Sequence, residues 1–188
     1  AMFEIPTAWW SDKIGSRRVL TRIVVWWSSF TMATASAFSY TSMLTLRFLF
    51  GIGEAGAWPN AARVFSRWIP ARERGKVQGI FFAGAHLSGA LTPAVVIWMT
   101  TFLSWRQVFM VCGSIGFLWA FGWYKWFRDE PADHPAVTPQ ERDMILRERN
   151  LPAHEKHDAK SFAAVFRHPS SWFLCVMYMA NTYGFYFF

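Results

Sequence analysis

Apolar residues run along this chain in long blocks, and the polar residues that interrupt them come in clusters. That is not the spacing of 2 or 3.6 that burial of one face produces. Four blocks approach or exceed the roughly 20 residues that cross a bilayer as a helix, at 19–40, 43–66, 77–102 and 108–127. Two shorter ones, at 1–10 and 172–188, read as the tail of one helix and the head of another in a longer chain. The pattern predicts an all-α, polytopic membrane protein.

The clusters between blocks differ in charge, and the difference repeats. The first connection carries Lys13, Arg17 and Arg18, with Arg22 just beyond. The third carries Arg67, Arg72, Arg74 and Lys76, and the fifth, at 125–167, holds eight Lys or Arg. The second, at 40–42, has none, and the fourth, at 101–105, has only Arg106 beside it. Because basic residues collect in cytoplasmic loops, the first, third and fifth connections are expected inside the cell. The alternation supports the number of spans, since a miscount would put basic loops on both sides. Within the fifth connection, Asp129, Glu130 and Pro131 are expected to close a helix. Thr138-Pro139-Gln140-Glu141 reads as a capping box with proline at the first helical position. A short surface helix through Met144, Ile145 and Leu146 should follow, and another at 161–166.

Composition agrees with the blocks. Hydrophobic residues make up 53% and charged residues 16%, whereas a soluble domain is about one quarter charged. The formal charge of +7 does not mark a nucleic-acid partner, because the basic residues sit at block ends instead of forming a phosphate-binding stripe. Cys112 and Cys175 lie inside apolar blocks and read as small hydrophobes. No CxxC pair or histidine grouping at ligand spacing suggests a metal or cofactor. Neither His-Glu-x-x-His nor a nucleophile with a nearby base suggests an enzyme.

An ionisable side chain at lipid depth costs about 3 kcal/mol or more unless a partner or water meets it. Arg47 and Glu54 both stand in the second block, seven residues apart. They share one helix face about 10 Å apart along the axis, too far for a direct ion pair within the helix. The functional reading is an anion-binding arginine and a proton-carrying glutamate; the alternative is a fixed pairing of each with another helix. Gly51, Gly53 and Gly56 spell GxGxxG, but no strand precedes them, so close helix packing explains them better than a dinucleotide. Pro59 should kink this helix. Asn60 beside it, His86 in the third block and Asn181 in the last are candidates to contact a solute, against the plainer reading of structural hydrogen bonding. Asp12, beside Arg17 and Arg18, is placed to pair with arginines and helix ends and so hold one state of a moving protein.

The run Ala8-Trp9-Trp10-Ser11-Asp12-Lys13-Ile14-Gly15-Ser16-Arg17-Arg18-Val19-Leu20 resembles the signature loop between the second and third helices of the major facilitator superfamily. Asp12, Lys13, Gly15, Arg17 and Leu20 fall on its positions, while Ala8 replaces its first glycine. The stretch 47–79 is similar to the fourth helix and following loop of the anion:cation symporter family, which includes hexuronate, galactonate, glucarate and phthalate transporters. The Arg47 and Glu54 spacing, Pro59, Trp68-Ile69-Pro70 and Glu73-Arg74-Gly75 carry that likeness, joined by Trp105-Arg106-Gln107-Val108-Phe109. The resemblance implies part of a twelve-helix fold. Residues 1–127 would belong to the N-terminal six-helix bundle, 128–170 to the central cytoplasmic loop and 171–188 to the seventh helix.

It further implies proton-coupled symport of a small organic anion, such as a sugar acid, by alternating access in a bacterial inner membrane. Glu54 would be the proton-coupling site and Arg47 would help shape the anion pocket, while Asn60, His86 and Asn181 are expected at the substrate from the residues alone. Asp12, Lys13, Gly15, Arg17 and Arg18 would form the conformational loop. The protein would be monomeric at full length, with membrane lipid around it and no cofactor. A sensor built on the same fold that binds without transport, and an anion exchanger, are the alternatives.

Overall fold

The computed structural model of the protein describes Thr7, Ser11 and residues 13–148 and 169–187. The chain divides into two compact units, Ala1–Asn150 and Leu151–Phe188. In the first, the helices α1 (Ser16–Thr34), α2 (Tyr40–Glu54), α3 (Ala57–Trp68), α4 (Arg74–Thr100) and α5 (Trp105–Trp126) follow one another among the described residues. A 3-10 turn at Pro131–Asp133 and a short α6 (Pro139–Glu148) follow. The second unit contains α7 (Pro169–Phe187), whose Trp172, Phe173, Leu174 and Met177 are exposed. No strand occurs among the described residues. The expected surface helix at 161–166, Asp12 and all of the first block except Thr7 lie outside them.

Two of these helices, α4 and α5, are long and apolar enough to cross a membrane by length and composition. The core sits where α1 packs on α5. Val19, Leu20, Ile23 and Val24 of α1 are buried, as are Val108, Gly113 and Ala120 of α5. The helices approach closely because small residues meet there: a Cβ on Gly113 would lie 2.9 Å from the Ser28 carbonyl oxygen, and one on Gly116 would strike the Ser28 hydroxyl. Close backbone approach of this kind is how helices associate where lipid removes the hydrophobic drive between them. The small-residue pairs of α4 make no such crossing, since Gly84 and Gly89 face open space among the described residues.

Capping sets the helix starts. Ser39 accepts from Ser42 N at 3.1 Å while the Ser42 hydroxyl accepts from Ser39 N at 3.0 Å, so α2 begins at Tyr40, ahead of the expected residue 43. At α5, Ser104 N donates to Gln107 Oε1 at 2.8 Å, which moves that start forward to Trp105. Thr138 caps α6 as expected, accepting from Glu141 N at 3.3 Å.

One expected helix is two. The block at 43–66 breaks between Glu54 and Ala57, at Ala55 (ψ 131°) and Gly56 (φ 92°). The cause lies four residues on, because a proline ring clashes with the carbonyl of residue i−4, which for Pro59 is Ala55. Gly56 then takes the left-handed conformation that a residue without a Cβ adopts at little cost.

Candidate functional site

The break leaves Glu54 as the last residue of α2, exposed toward an open cavity of about 280 Å³ between three helices. Trp27, Ser28 and Thr31 of α1 form one wall, Phe50 and Glu54 of α2 a second, and Cys112, Gly113 and Gly116 of α5 the third. Gly113 and Gly116, which permit the α1–α5 crossing, thus also line the cavity. Among the described residues the Glu54 carboxylate has neither an ion pair nor a hydrogen bond.

Arg47 stands two turns earlier on α2 and does not line the cavity. Its Cζ lies 5.4 Å from the ring centroid of Phe50, which does, and 5.2 Å from that of Phe109 on α5. Like Glu54, it makes no ion pair or hydrogen bond among the described residues. The structure therefore brings Arg47 and Glu54 to one side of α2 without pairing either charge. The Trp26 indole N–H, from α1, donates to the Leu49 carbonyl between them at 2.8 Å.

The other solute-contact candidates are placed elsewhere. Asn60 is buried on α3, where its Nδ2 donates to the Gly56 carbonyl at 2.7 Å. The bond closes the first turn of α3 just past the break, and Asn60 does not line the cavity. His86 is exposed on α4, away from the cavity lining. The side chain of Asn181 is outside the described ones.

At the basic end of this unit the loop residues enter a clasp. Gly15, at φ 88°, packs its Cα against the Asp129 carboxylate, and Asp129 Oδ1 accepts from Arg17 N at 2.9 Å. The Arg17 guanidinium donates through Nε to the Tyr124 carbonyl at 2.8 Å and also through Nη2. It lies over the Tyr124 ring at 4.3 Å. Next in sequence, Glu130 pairs with Arg67 of α3 at 2.5 Å, and the Trp68 indole donates to the Arg128 carbonyl at 3.1 Å. Residues 128–130 thus bind the ends of α1, α3 and α5 together. Lys13 and Arg18 are exposed beside the clasp.

Sequence reading missed the two acidic residues of this clasp, treating Asp129 and Glu130 as helix punctuation. The available signal was an acidic pair following an aromatic helix, opposite two basic connections. It also missed Ser28, Cys112, Gly113 and Gly116, which look like ordinary span residues.

Comparison with known proteins gives a consistent answer. The family model described as Major Facilitator Superfamily matches residues 1–188. A probable sulfoacetate transporter of Cupriavidus necator is 40% identical over 145 residues, 77% of this chain and 34% of its own length. A probable galactarate/D-glucarate transporter of Escherichia coli K12 is 35% identical, again over 77% of this chain and 34% of its own. The hexuronate transporter of the same strain is 29% identical over 86% of this chain and 37% of its own. The chain spans about a third of the length of these curated relatives.

Proposed function

The chain belongs to the major facilitator superfamily, and from that footing we propose that it forms part of a secondary transporter that moves a small organic anion with a proton by alternating access. The relatives named for sulfoacetate, galactarate, glucarate and hexuronate support a carboxylate or sulfonate solute of a few carbons. Residues 1–127 would belong to one bundle, 128–170 to the connection and 171–188 to the first helix of the second. The basic loops would face the cytoplasm of a bacterial cell whose inner membrane holds the protein as a monomer.

The observation that carries this reading is that two charges on one helix have no ion pair or hydrogen bond among the described residues: Glu54 faces an open cavity and Arg47 lies two turns away on aromatic rings. Charges at lipid depth without a protein partner need water or a charged visitor. An anion can answer Arg47 and a proton can answer Glu54. Protonating Glu54 changes the net charge beside the cavity, and a change that one state tolerates better than the other shifts the equilibrium between inward and outward forms.

The test is Glu54→Gln in the intact transporter in proteoliposomes. Anion exchange should stay within about twofold while accumulation driven by a pH gradient disappears; a 1.4 kcal/mol change would alter a rate about tenfold. Gradient-driven accumulation equal to wild type would overturn the assignment of Glu54. Wild-type flux that requires a counter-anion and ignores the pH gradient would favour exchange over symport.

A further inference from the structure

We infer that Phe109 is a positioning residue for the arginine proposed to meet the solute: its ring holds the Arg47 guanidinium by its charge alone and leaves the N–H edge free for an anion. This rests on the reading of Arg47 given above. A guanidinium carries five N–H donors in its plane. An aromatic ring presents a negative face that attracts a cation within about 6 Å without accepting a conventional hydrogen bond. Arg47 Cζ is 5.2 Å from the Phe109 centroid, inside that range, and no hydrogen bond or ion pair among the described residues uses its donors.

Two rings approach Arg47, but they do different work. Phe50 is three residues along the same helix and 5.4 Å away, so it travels with Arg47 and cannot fix it relative to the wall that α5 supplies. Phe109 comes from α5, whose next turn supplies Cys112 and Gly113 to the cavity wall. Its plane is set in turn by Trp105, edge to face at 6.1 Å and 90°. The contact therefore ties the direction of the guanidinium to the helix opposite. An acidic residue at 109 would also have placed Arg47, but it would have occupied the donors and neutralised the charge on which anion binding depends.

The experiment compares position 109 variants of the intact transporter by the KM and kcat of anion uptake in proteoliposomes, with the sulfoacetate and glucarate ions as probes. Phe109→Leu keeps apolar bulk without the ring and should raise KM roughly 5-fold, the scale of a half-buried cation–π contact, with kcat changed less than twofold. Phe109→Tyr and Phe109→Trp should restore KM. Mono-, di- and trifluorophenylalanine at 109 keep the shape while weakening the ring face, and KM should climb stepwise along them. A flat fluorination series, or equal impairment by Leu and Tyr, would overturn the inference even if Phe109→Leu folds poorly. Arg47→Ala separates the two levels. If it leaves KM unchanged, the reading of Arg47 falls and this inference with it; if it raises KM while the fluorination series stays flat, only the role of Phe109 falls.

Discussion

The clasp at the basic end and the second half of α2 use the same kinds of side chain in opposite ways. At the clasp, Arg17 gives its donors to the Tyr124 carbonyl, Asp129 accepts from the Arg17 backbone, and Arg67 holds Glu130 at 2.5 Å. On α2, Arg47 lies against aromatic rings with no ion pair or hydrogen bond among the described residues, and Glu54 faces a cavity. A paired charge has spent its interaction energy on the fold, and removing one partner leaves the other exposed to its desolvation cost. An unpaired charge has that energy still available for something that arrives. The difference separates residues that hold the bundle together from residues positioned to respond to a solute.

Mutations on the two sides should therefore fail in different assays. The largest effect is expected from Arg47→Ala. Hydrogen bonds to a charged group contribute about 1.5–3 kcal/mol, so KM for the anion should rise by roughly 10- to 150-fold in uptake assays on the intact transporter. Thermal unfolding in detergent should move little, because no described protein group loses a hydrogen bond or ion pair and the cation–π contacts given up, about 0.5–1 kcal/mol each, are offset by no longer holding a charge at lipid depth. Asp129→Ala should do the reverse. It removes the acceptor of the Arg17 N–H and leaves that donor partly buried, for a loss of about 1–3 kcal/mol seen as a lower unfolding midpoint, while KM stays within about twofold, less than 0.5 kcal/mol. A large KM change in Asp129→Ala would dissolve the contrast.

How far the sequence disclosed these two regions follows from the range of each interaction. The helix α4 (Arg74–Thr100) was legible within a few residues as the block 77–102, because its apolarity is continuous. Arg47 and Glu54 were legible because a charge in such a block is its own signal. The break at Ala55 was displaced from Pro59, since proline acts on a carbonyl four residues earlier, and Asn60 proved to bond the Gly56 carbonyl in the first turn after it. The clasp was illegible as a unit because its partners are far apart: Arg17 and Asp129 are separated by 112 positions, and nothing local in either marks the other. The cavity walls from α1 and α5 were hidden for the same reason. Gly113 and Gly116 matter only against Ser28, whose approach depends on the tertiary crossing.

The smallest expected effect lies at the join between the two uses of charge. Trp26 reaches from α1 to α2, donating to the Leu49 carbonyl at 2.8 Å and packing its ring where a Cβ at Gly53 would stand. Trp26→Phe keeps a ring in that space and deletes the N–H. The carbonyl it abandons sits inside a helix, where the i+4 amide remains as a donor, so no group is stranded, and the loss is one neutral hydrogen bond of about 0.5–1.5 kcal/mol. The unfolding midpoint should drop slightly, and KM should rise by less than about threefold, since Arg47 keeps both aromatic neighbours and a threefold change is under 0.7 kcal/mol. A KM increase as large as that of Arg47→Ala, with the midpoint unchanged, would mean that α2 is aimed by this bond, and Trp26 would then belong with the residues that respond to solute and not with those that hold the bundle.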